Sequence, residues 1–254
     1  MKLSEIQISI AQLDNYGPWT VSPEPKPEAY LQMLQTRLFG DLEGKFSYRN
    51  GLAFISRFDN NVVVSNGLSI EDHEDIQNEI GKEYPVTVSF GIGHARNPIE
   101  AQKLASEALQ ETGSSQSEGR KEKISGDTLG FPKDSLVQIA HIDVDDFTKF
   151  TDGEPIYETH NMIQKVNMSL SEHLKPLNGM VFFTGGDNFM APTNTLEPEE
   201  ILKVLDDVEE DVGIKLKAGL GRANNAVDAA YFASEGLHEI RDGISEEKVV
   251  LMEE

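Results

Sequence analysis

Two aspartates in the second half of the chain have the residue type and the surroundings of a metal site. Asp143 ends an apolar run at 136–143, and Asp187 follows Gly185 and Gly186 in the hairpin-like stretch VFFTGGDNFMAP. In the arrangement predicted below, the first strand lies beside the hairpin, so the two carboxylates should converge. Converging carboxylates repel each other unless a cation lies between them. In a chain with 0 cysteines, oxygen ligands favour Mg²⁺, which also binds phosphate oxygens.

The first half of the chain contains a similar pair. Asp14 ends an apolar run, and Asp59 lies in the hairpin-like stretch LAFISRFDNN. Asp14 and Asp143 lie 129 positions apart and Asp59 and Asp187 lie 128 apart, as do an Ala-Ser-Glu triplet and a Gly-x-Gly pair in each half. This constant spacing predicts a tandem duplication. The metal candidates are Asp14, Asp59, Asp143 and Asp187, although turn formation or helix capping would explain any single aspartate as well.

Neighbours of these aspartates are further candidates. His141 lies two residues before Asp143, so both side chains share one face of a strand, and the imidazole could orient or deprotonate a water. Packing of a strand histidine against a helix is the simpler alternative. Asn15 and Asn188 each follow an aspartate, and their amides could read a purine edge or support a carboxylate. Turn geometry explains these asparagines equally well. The catalytic candidates are Asp14, Asp143, Asp187 and His141.

Cationic and glycine residues are the candidates for binding phosphate. Arg120 and Lys121 belong to a basic cluster in an otherwise acidic chain, and Arg57 precedes the first hairpin aspartate. A solvated linker is the alternative for that basic cluster. Gly185 and Gly186 would allow phosphates to approach the hairpin closely.

The elements that must position these residues follow the same order in each half. Each half begins with an apolar strand and a helix, continues with a hairpin and an acidic helix, and ends with a Gly-x-Gly strand and a trailing helix, which is the order β-α-β-β-α-β plus one helix. In the first half, the first helix has one apolar face formed by Leu31, Leu34, Leu38 and Leu42. This order predicts an α+β fold, a tandem duplication of a ferredoxin-like domain. The predicted divisions are a first repeat at 1–112, a polar linker at 113–134 and a second repeat at 135–254. The Gly-x-Gly pairs should allow close packing rather than bind phosphate.

Composition limits the function classes. The 254 residues carry 44 acidic and 22 basic side chains, a net charge of −22, which disfavours nucleic-acid binding and is typical of proteins that stay soluble in concentrated salt. We expect a salt-rich cytoplasm. No membrane span or signal peptide is recognisable, and no membrane partner is expected.

The strings HIDVDDFTKFTD and GGDNF resemble the signature of GGDEF diguanylate cyclases and, more broadly, of the nucleotidyl-cyclase and polymerase-palm group. The resemblance implies that Asp143 and Asp187 hold Mg²⁺ on a nucleoside triphosphate. Thr151 and Asn188 depart from the cyclase pattern, in which an Asn and a Glu are usual.

Over its whole length, the chain resembles the archaeal GTP cyclohydrolase III family. It is carried by QLDNYGPWT, SRFDN, the long segment YPVTVSFGIGHARNPIEAQKLASEALQETGSSQSEGRKE, QIAHID and FTGGDNFMAP. The resemblance implies hydrolysis of GTP, with opening of the imidazole ring at C8, release of pyrophosphate and formation of a formylamino-pyrimidine ribonucleotide for flavin and deazaflavin synthesis. It also implies Mg²⁺, activation by K⁺ and a homo-oligomer, a dimer or a tetramer. A nucleotidyl cyclase and a non-catalytic nucleotide sensor remain the alternatives.

Overall fold

The computed structural model of the chain describes residues 5–117, 120–130 and 136–254. These residues divide into two compact units. One unit contains 5–96, 100–117 and 120–130 and corresponds to the first repeat. The other contains 136–254 and corresponds to the second repeat; residues 97–99 are grouped with it although in chain order they belong to the first. Among the described residues, no helix is long and apolar enough to cross a membrane.

The first repeat is built on a five-stranded sheet. Its elements are β1 (Ile6–Leu13), α1 (Tyr16–Val21), α2 (Glu28–Ser47), β2 (Leu52–Arg57), β3 (Asn60–Val64), α3 (Ile70–Glu83), β4 (Val88–Ala95), α4 (Pro98–Glu111) and β5 (Ile124–Gly126). The strand order is β2-β3-β1-β4-β5, in which β1 pairs antiparallel with both β3 and β4. β5 pairs parallel with β4, so the segment predicted as a linker contributes a strand to this sheet.

The second repeat has the same organisation. Its elements are β6 (Val137–Val144), α5 (Phe147–Thr151), α6 (Ile156–Leu174), β7 (Phe182–Gly185), β8 (Asn188–Pro192), α7 (Pro198–Val212), β9 (Leu216–Ala223), α8 (Ala226–Arg241) and β10 (Val249–Glu253). The strand order is β10-β9-β6-β8-β7, with β6 between β9 and β8. Both sheets therefore contain the ferredoxin-like strand order with one parallel strand added, and the predicted duplicated α+β fold is confirmed.

Apolar periodicity explains the helices that cover these sheets. In α2, Leu34, Leu38, Leu42 and Phe46 are buried at helical spacing, whereas Leu31 at the start of the predicted face is only partly buried. α3 begins with a capping box, in which Ser69 and Asp72 each satisfy the other's backbone amide. Sequence pattern thus accounts for the elements that form the core.

Equivalent residues of β1 and β6, the first strands of the two repeats, differ in residue number by an amount other than the predicted one. The side-chain amides of Gln7 and Gln138 bond to matching partners, Ser65 and Leu68 in one repeat and Thr193 and Leu196 in the other. These two glutamines lie 131 positions apart, whereas their partners lie 128 apart.

The residues that follow each first strand agree with this offset. Asn15 and Asp146 both precede a short helix in the left-handed conformation, with φ of 51° and 55°, and they are also 131 positions apart. Asp14 therefore corresponds to Asp145, and the counterpart of Asp143 is Gln12. The prediction that Asp14 is the counterpart of Asp143 is wrong.

A length difference between the repeats is the physical reason for this error. Pro27 and Pro155, which precede the long helices α2 and α6, are already 128 positions apart. The connection between the first strand and the long helix is thus about three residues shorter in the second repeat. Residues that follow this connection repeat at a spacing of 128 positions. Applying about the same spacing to the first strands, which precede the connection, pairs the wrong residues.

Candidate active site

The second repeat brings Asp143 and Asp187 together. Asp143 lies near the end of β6, and β6 pairs with β8 so that Asp143 is opposite Asn188, the residue after Asp187. Asp143 is 3% exposed. Burial raises the pKa of Asp187, and the negative charge of Asp143 together with hydrogen bonding between the two carboxyl groups raises that pKa further. The predicted convergence of these two carboxylates is therefore present in the structure.

Two cations that the sequence analysis did not select complete this cluster. Lys217 lies on β9 directly across from Asp143, and its Nζ is 3.8 Å from Asp143 and 2.9 Å from Asp145. Arg241, in the last turn of α8, donates a hydrogen bond to Asp143 Oδ1. Strand register would have identified Lys217, but no local signal marks Arg241, which is 98 positions from its partner.

A polar cleft of about 400 Å³ opens over the carboxylate pair. Its lining residues are Asp143, Val144, Asp146, Phe147, Thr148, Asp187, Lys217 and Arg241. A second, mainly apolar cleft of about 330 Å³ shares Phe147 with the first. The residues that line this apolar cleft are Phe147, Thr151, Glu154, Ile156, Thr159, His160, Ile163, Phe183 and Gly186. A polar cleft beside an apolar one suits a ligand with a charged end and a flat, aromatic end.

The hairpin glycines form the turn that carries Asp187. Gly185 has φ of 122° and Gly186 has φ of 62°, both in the region that favours glycine. Among the described residues, no atom beyond the adjacent residues lies within 4 Å of a Cβ atom placed on Gly185, and Gly186 lines the apolar cleft. The prediction that these glycines leave room for phosphates is not tested by any bound molecule and stays a prediction.

His141 and Asn188 form a polar chain behind Asp187. His141 Nε2 is 2.9 Å from Asn188 Oδ1, and Asn188 Nδ2 donates to Asp187 Oδ1 at 3.1 Å. Burial lowers the pKa of His141. The imidazole therefore does not reach into the cleft as a free base; it is engaged with a side chain that contacts Asp187.

The first repeat does not reproduce the acidic pair. The Asp14 carboxylate accepts hydrogen bonds from Thr87 at 2.9 Å, Ser89 at 2.6 Å, the Glu122 backbone amide at 2.8 Å and Arg120 at 3.2 Å. Both of its oxygens are thereby occupied. Asp59 is 41% exposed and lies 3.5 Å from Arg57. The structure shows no partnership of these two carboxylates comparable to that of Asp143 and Asp187.

A guanidinium occupies the polar centre of the first repeat. Arg120 donates to the side-chain carbonyl of Gln12, the counterpart of Asp143, as well as to Asp14. Gln12 in turn donates to Asn60 at 2.6 Å. The counterpart of Asp143 is therefore an amide, and Asp14 is paired with a buried arginine, so Asp14 and Asp59 do not form the acidic pair that a divalent cation needs. The predicted metal pair of Asp14 and Asp59 is corrected accordingly.

The remaining phosphate candidates also lie in the first repeat. Arg120 is 2% exposed and hydrogen-bonded to Gln12 and Asp14, so it is not a solvated cation of a linker. Lys121 is exposed beside Glu122 at 3.9 Å and lines a cleft of about 380 Å³ with Asp14, Asn15 and Trp19. The side-chain oxygen of Asn15 is buried, and no described residue gives it a hydrogen bond. None of these contacts tests their predicted role in substrate binding.

Oxygen chemistry at the second repeat fits Mg²⁺. Two carboxylates in contact, with the pKa of one raised by the other, gain stability when a cation neutralises them. Among the described residues, no cluster of three or more His, Cys, Asp or Glu side chains suits a metal ion. Two carboxylates supply fewer oxygens than the octahedral shell of Mg²⁺ needs, so phosphate oxygens and water would complete that shell, as is usual for Mg²⁺ bound with nucleotides.

The sequence of this chain is similar to known proteins over nearly its entire length. The family model described as GTP cyclohydrolase III matches residues 8–254. The GTP cyclohydrolase III of Methanothermobacter thermautotrophicus is 45% identical over 98% of this chain and 100% of that protein. That of Methanobrevibacter smithii is 48% identical over 93% and 94% respectively. A solved GGDEF domain from Caulobacter crescentus is similar to 46% of this chain and 77% of its own, at 15% identity and a TM-score of 0.40. The chain belongs to the GTP cyclohydrolase III family.

Proposed function

We propose that this protein is a GTP cyclohydrolase that opens the imidazole ring of GTP at C8 and hydrolyses its phosphate chain to a monophosphate. One observation carries the proposal: the Asp143–Asp187 pair lies in a polar cleft beside an apolar one, in a chain that matches the family over residues 8–254. The product would be a formylamino-pyrimidine ribonucleotide, a precursor for flavin and deazaflavin cofactors.

Ring opening consumes one water. The water oxygen bonds to C8 and one of its protons goes to N7, and the C8–N9 bond then breaks as the second proton reaches N9. C8 leaves the ring as a formyl group on N7, and N9 stays attached to the ribose. Hydrolysis of the bond between the α- and β-phosphates consumes a second water and releases pyrophosphate.

The two clefts match the two ends of GTP. The apolar cleft, with Phe147 and Phe183 in its wall, would hold the base, and Thr151 and Glu154 provide polar groups for its edge. In the polar cleft, Lys217 and Arg241 would draw the triphosphate toward the acidic pair. Gly185 and Gly186 at the hairpin would let the phosphates pass without steric obstruction.

Asp143 and Asp187 are the residues that would hold Mg²⁺. Bound there, Mg²⁺ would neutralise phosphate charge and polarise the oxygens that it binds. The protein's own contribution is to bury Asp143, to shield Asp187 partly from solvent and to hold the two carboxyl groups together before a cation binds.

The finer expectations from the family resemblance are part of this proposal. They are activation by K⁺, assembly as a homo-oligomer (a dimer or a tetramer) and a cytoplasm rich in salt. The K⁺ dependence of turnover and the mass of the protein in solution would test the first two directly.

Incubation of the purified full chain with GTP and MgCl₂ tests the proposed reaction. Mass spectrometry should detect the ring-opened formylamino-pyrimidine monophosphate, with the inorganic product assayed as both pyrophosphate and orthophosphate. A cyclic nucleotide would instead support a nucleotidyl cyclase, and unchanged GTP with saturable binding would support a sensor.

Asp187→Asn should reduce turnover by at least about 100-fold, because the charge that holds the cation is lost while the shape of the turn is kept. Asp59→Asn is the matched control, since Asp59 occupies the corresponding hairpin in the first repeat and is exposed. We expect near-normal activity from this control. Full activity of Asp187→Asn, with unchanged circular dichroism, would contradict the assignment of the site.

A further inference from the structure

A chain of three hydrogen bonds runs from the body of the second repeat to Asp187. Ser234 Oγ on α8 is 3.0 Å from His141 Nδ1, His141 Nε2 is 2.9 Å from Asn188 Oδ1, and Asn188 Nδ2 is 3.1 Å from Asp187 Oδ1. Asn188 Nδ2 is also 3.5 Å from the Gly185 carbonyl oxygen. The turn is thus tied to the central strand β6 through His141.

The donor and acceptor roles in the last two hydrogen bonds determine the orientations of the Asn188 amide and the His141 ring. Asn188 presents its NH₂ group to Asp187 Oδ1, and a carboxylate that binds a cation can only accept such a bond. Its carbonyl oxygen therefore faces His141, and Nε2 of the imidazole must donate. Ser234 on the other side of the ring restrains the ring plane. His141 in this way selects the orientation of the Asn188 amide that suits Asp187.

The first repeat shows that the fold itself does not require a histidine here. With the 131-residue offset between first strands, the counterpart of His141 is Ile10, which is buried in an intact sheet. Asn60, the counterpart of Asn188, is held instead by Gln12, and its buried Nδ2 atom has no hydrogen-bond partner in the part of the chain that the structure describes. The histidine-to-carboxylate chain is present in the repeat that contains the acidic pair.

We infer that His141 is a positioning residue that orients Asn188, so that Asn188 holds the Asp187 carboxylate against Asp143 for cation binding. This inference rests on the proposed Mg²⁺ site. Groups that orient a metal-binding side chain typically change metal affinity about 10- to 100-fold when they are removed.

The test measures cation binding separately from turnover. Mn²⁺ serves as the probe, and its affinity for the full chain is measured by electron paramagnetic resonance in the presence of a GTP analogue whose α–β bridge is a methylene group, so that the phosphate chain stays intact. His141→Ile, which copies Ile10, should weaken Mn²⁺ binding at least about 10-fold with little change in melting temperature. His141→Gln keeps an N–H donor and should restore most of the affinity.

A double-mutant cycle separates positioning from packing. Asn188→Ala should weaken Mn²⁺ binding as much as His141→Ile, and the double variant should lose little more, because both changes break one chain. Asp187→Asn defines the lower limit of affinity. If His141→Ile does not fold, Asn188→Ala and His141→Gln still provide the comparison.

Three outcomes would overturn the inference: unchanged Mn²⁺ affinity in His141→Ile, failure of His141→Gln to restore affinity, or strictly additive losses. Absence of Mn²⁺ binding by the wild-type chain would overturn it together with the metal site. If wild-type protein binds Mn²⁺ and shows the predicted losses but leaves GTP unchanged, the positioning role stands and the proposed reaction fails.

Discussion

At the residue scale, the two repeats solve the same electrostatic problem in different ways. Each has an aspartate near the end of its first strand that is removed from water and needs compensation. In the first repeat, Arg120 provides this compensation from within the protein, together with three neutral donors. In the second, Asp143 is placed against another carboxylate and two cations that line a cleft. The second arrangement brings two carboxylates to one cleft, where a ligand can reach them.

The ion pair between Arg120 and Asp14 should be important for stability. Both side chains are 2% exposed, so Arg120→Met would leave a buried carboxylate without its counter-charge. We expect the free energy of unfolding to fall by about 3 kcal/mol, since breaking a buried pair from one side is costly. Urea denaturation followed by circular dichroism measures this change.

Lys121→Met is the matched control for this variant. Lys121 is adjacent in sequence but 64% exposed, and its contact with Glu122 is long, so its loss should change stability by less than about 0.5 kcal/mol. If Arg120→Met were as stable as wild type but bound GTP poorly, the original prediction of a phosphate-binding arginine would be favoured instead.

At the element scale, close packing of a helix on a strand shapes each repeat. A Cβ atom on Gly221 of β9 would lie 1.9 Å from the Ala229 carbonyl oxygen of α8, and one on Gly219 would lie 1.9 Å from that of Ala233. The prediction that the Gly-x-Gly pairs allow close packing is confirmed. The same approach brings α8 against the sheet and delivers Arg241, at its last turn, to Asp143.

Gly221→Ala should therefore separate α8 from β9. Because the obstructing atom belongs to the backbone, the clash cannot be relieved by a side-chain rotation, and we expect a loss of about 3 kcal/mol in the free energy of unfolding. Gly153→Ala is a suitable control, since no atom of the described residues lies within 4 Å of a Cβ atom at that position. Chemical denaturation of both variants gives the comparison, and equal stabilities would contradict this account of the packing.

At the scale of the whole molecule, net charge is the dominant property. A charge of −22 on 254 residues produces repulsion that acts throughout the chain and that dissolved salt screens. This charge repulsion does not depend on the details of the site. Screening of the repulsion by salt acts in addition to any specific effect of K⁺ on catalysis, and experiments can separate the two effects.

We predict that the melting temperature rises as KCl increases from about 0.1 M to about 2 M, because the Debye length falls below the spacing of surface charges. NaCl at the same ionic strength should stabilise to a similar extent if screening is the cause. Turnover of GTP should respond to K⁺ more than to Na⁺ if a specific site exists. Differential scanning fluorimetry and product formation provide the two readouts, and a melting temperature that falls with either salt would contradict the screening argument.

The sequence alone determined the features that depend on local pattern. Helical spacing of leucines, the glycines of the hairpin turn and the recurrence of whole segments predicted the elements, their order and the duplication, since each depends on residues that are close in the chain. The same reasoning identified Asp143 and Asp187, because adjacency of the first strand and the hairpin follows from the order of elements.

Tertiary structure decided which residues correspond between the repeats and which cations reach the carboxylates. One connection is about three residues shorter in the second repeat, so the offset of 128 that holds for later landmarks becomes 131 in the first strands, and the counterpart of Asp143 is Gln12 rather than Asp14. Spacing counted over distant landmarks does not detect this change. Arg120 and Arg241 reach their aspartates from 106 and 98 positions away. Such contacts are set by strand register and by the packing of helices on the sheet, where a shift of one residue reverses the face on which a side chain lies.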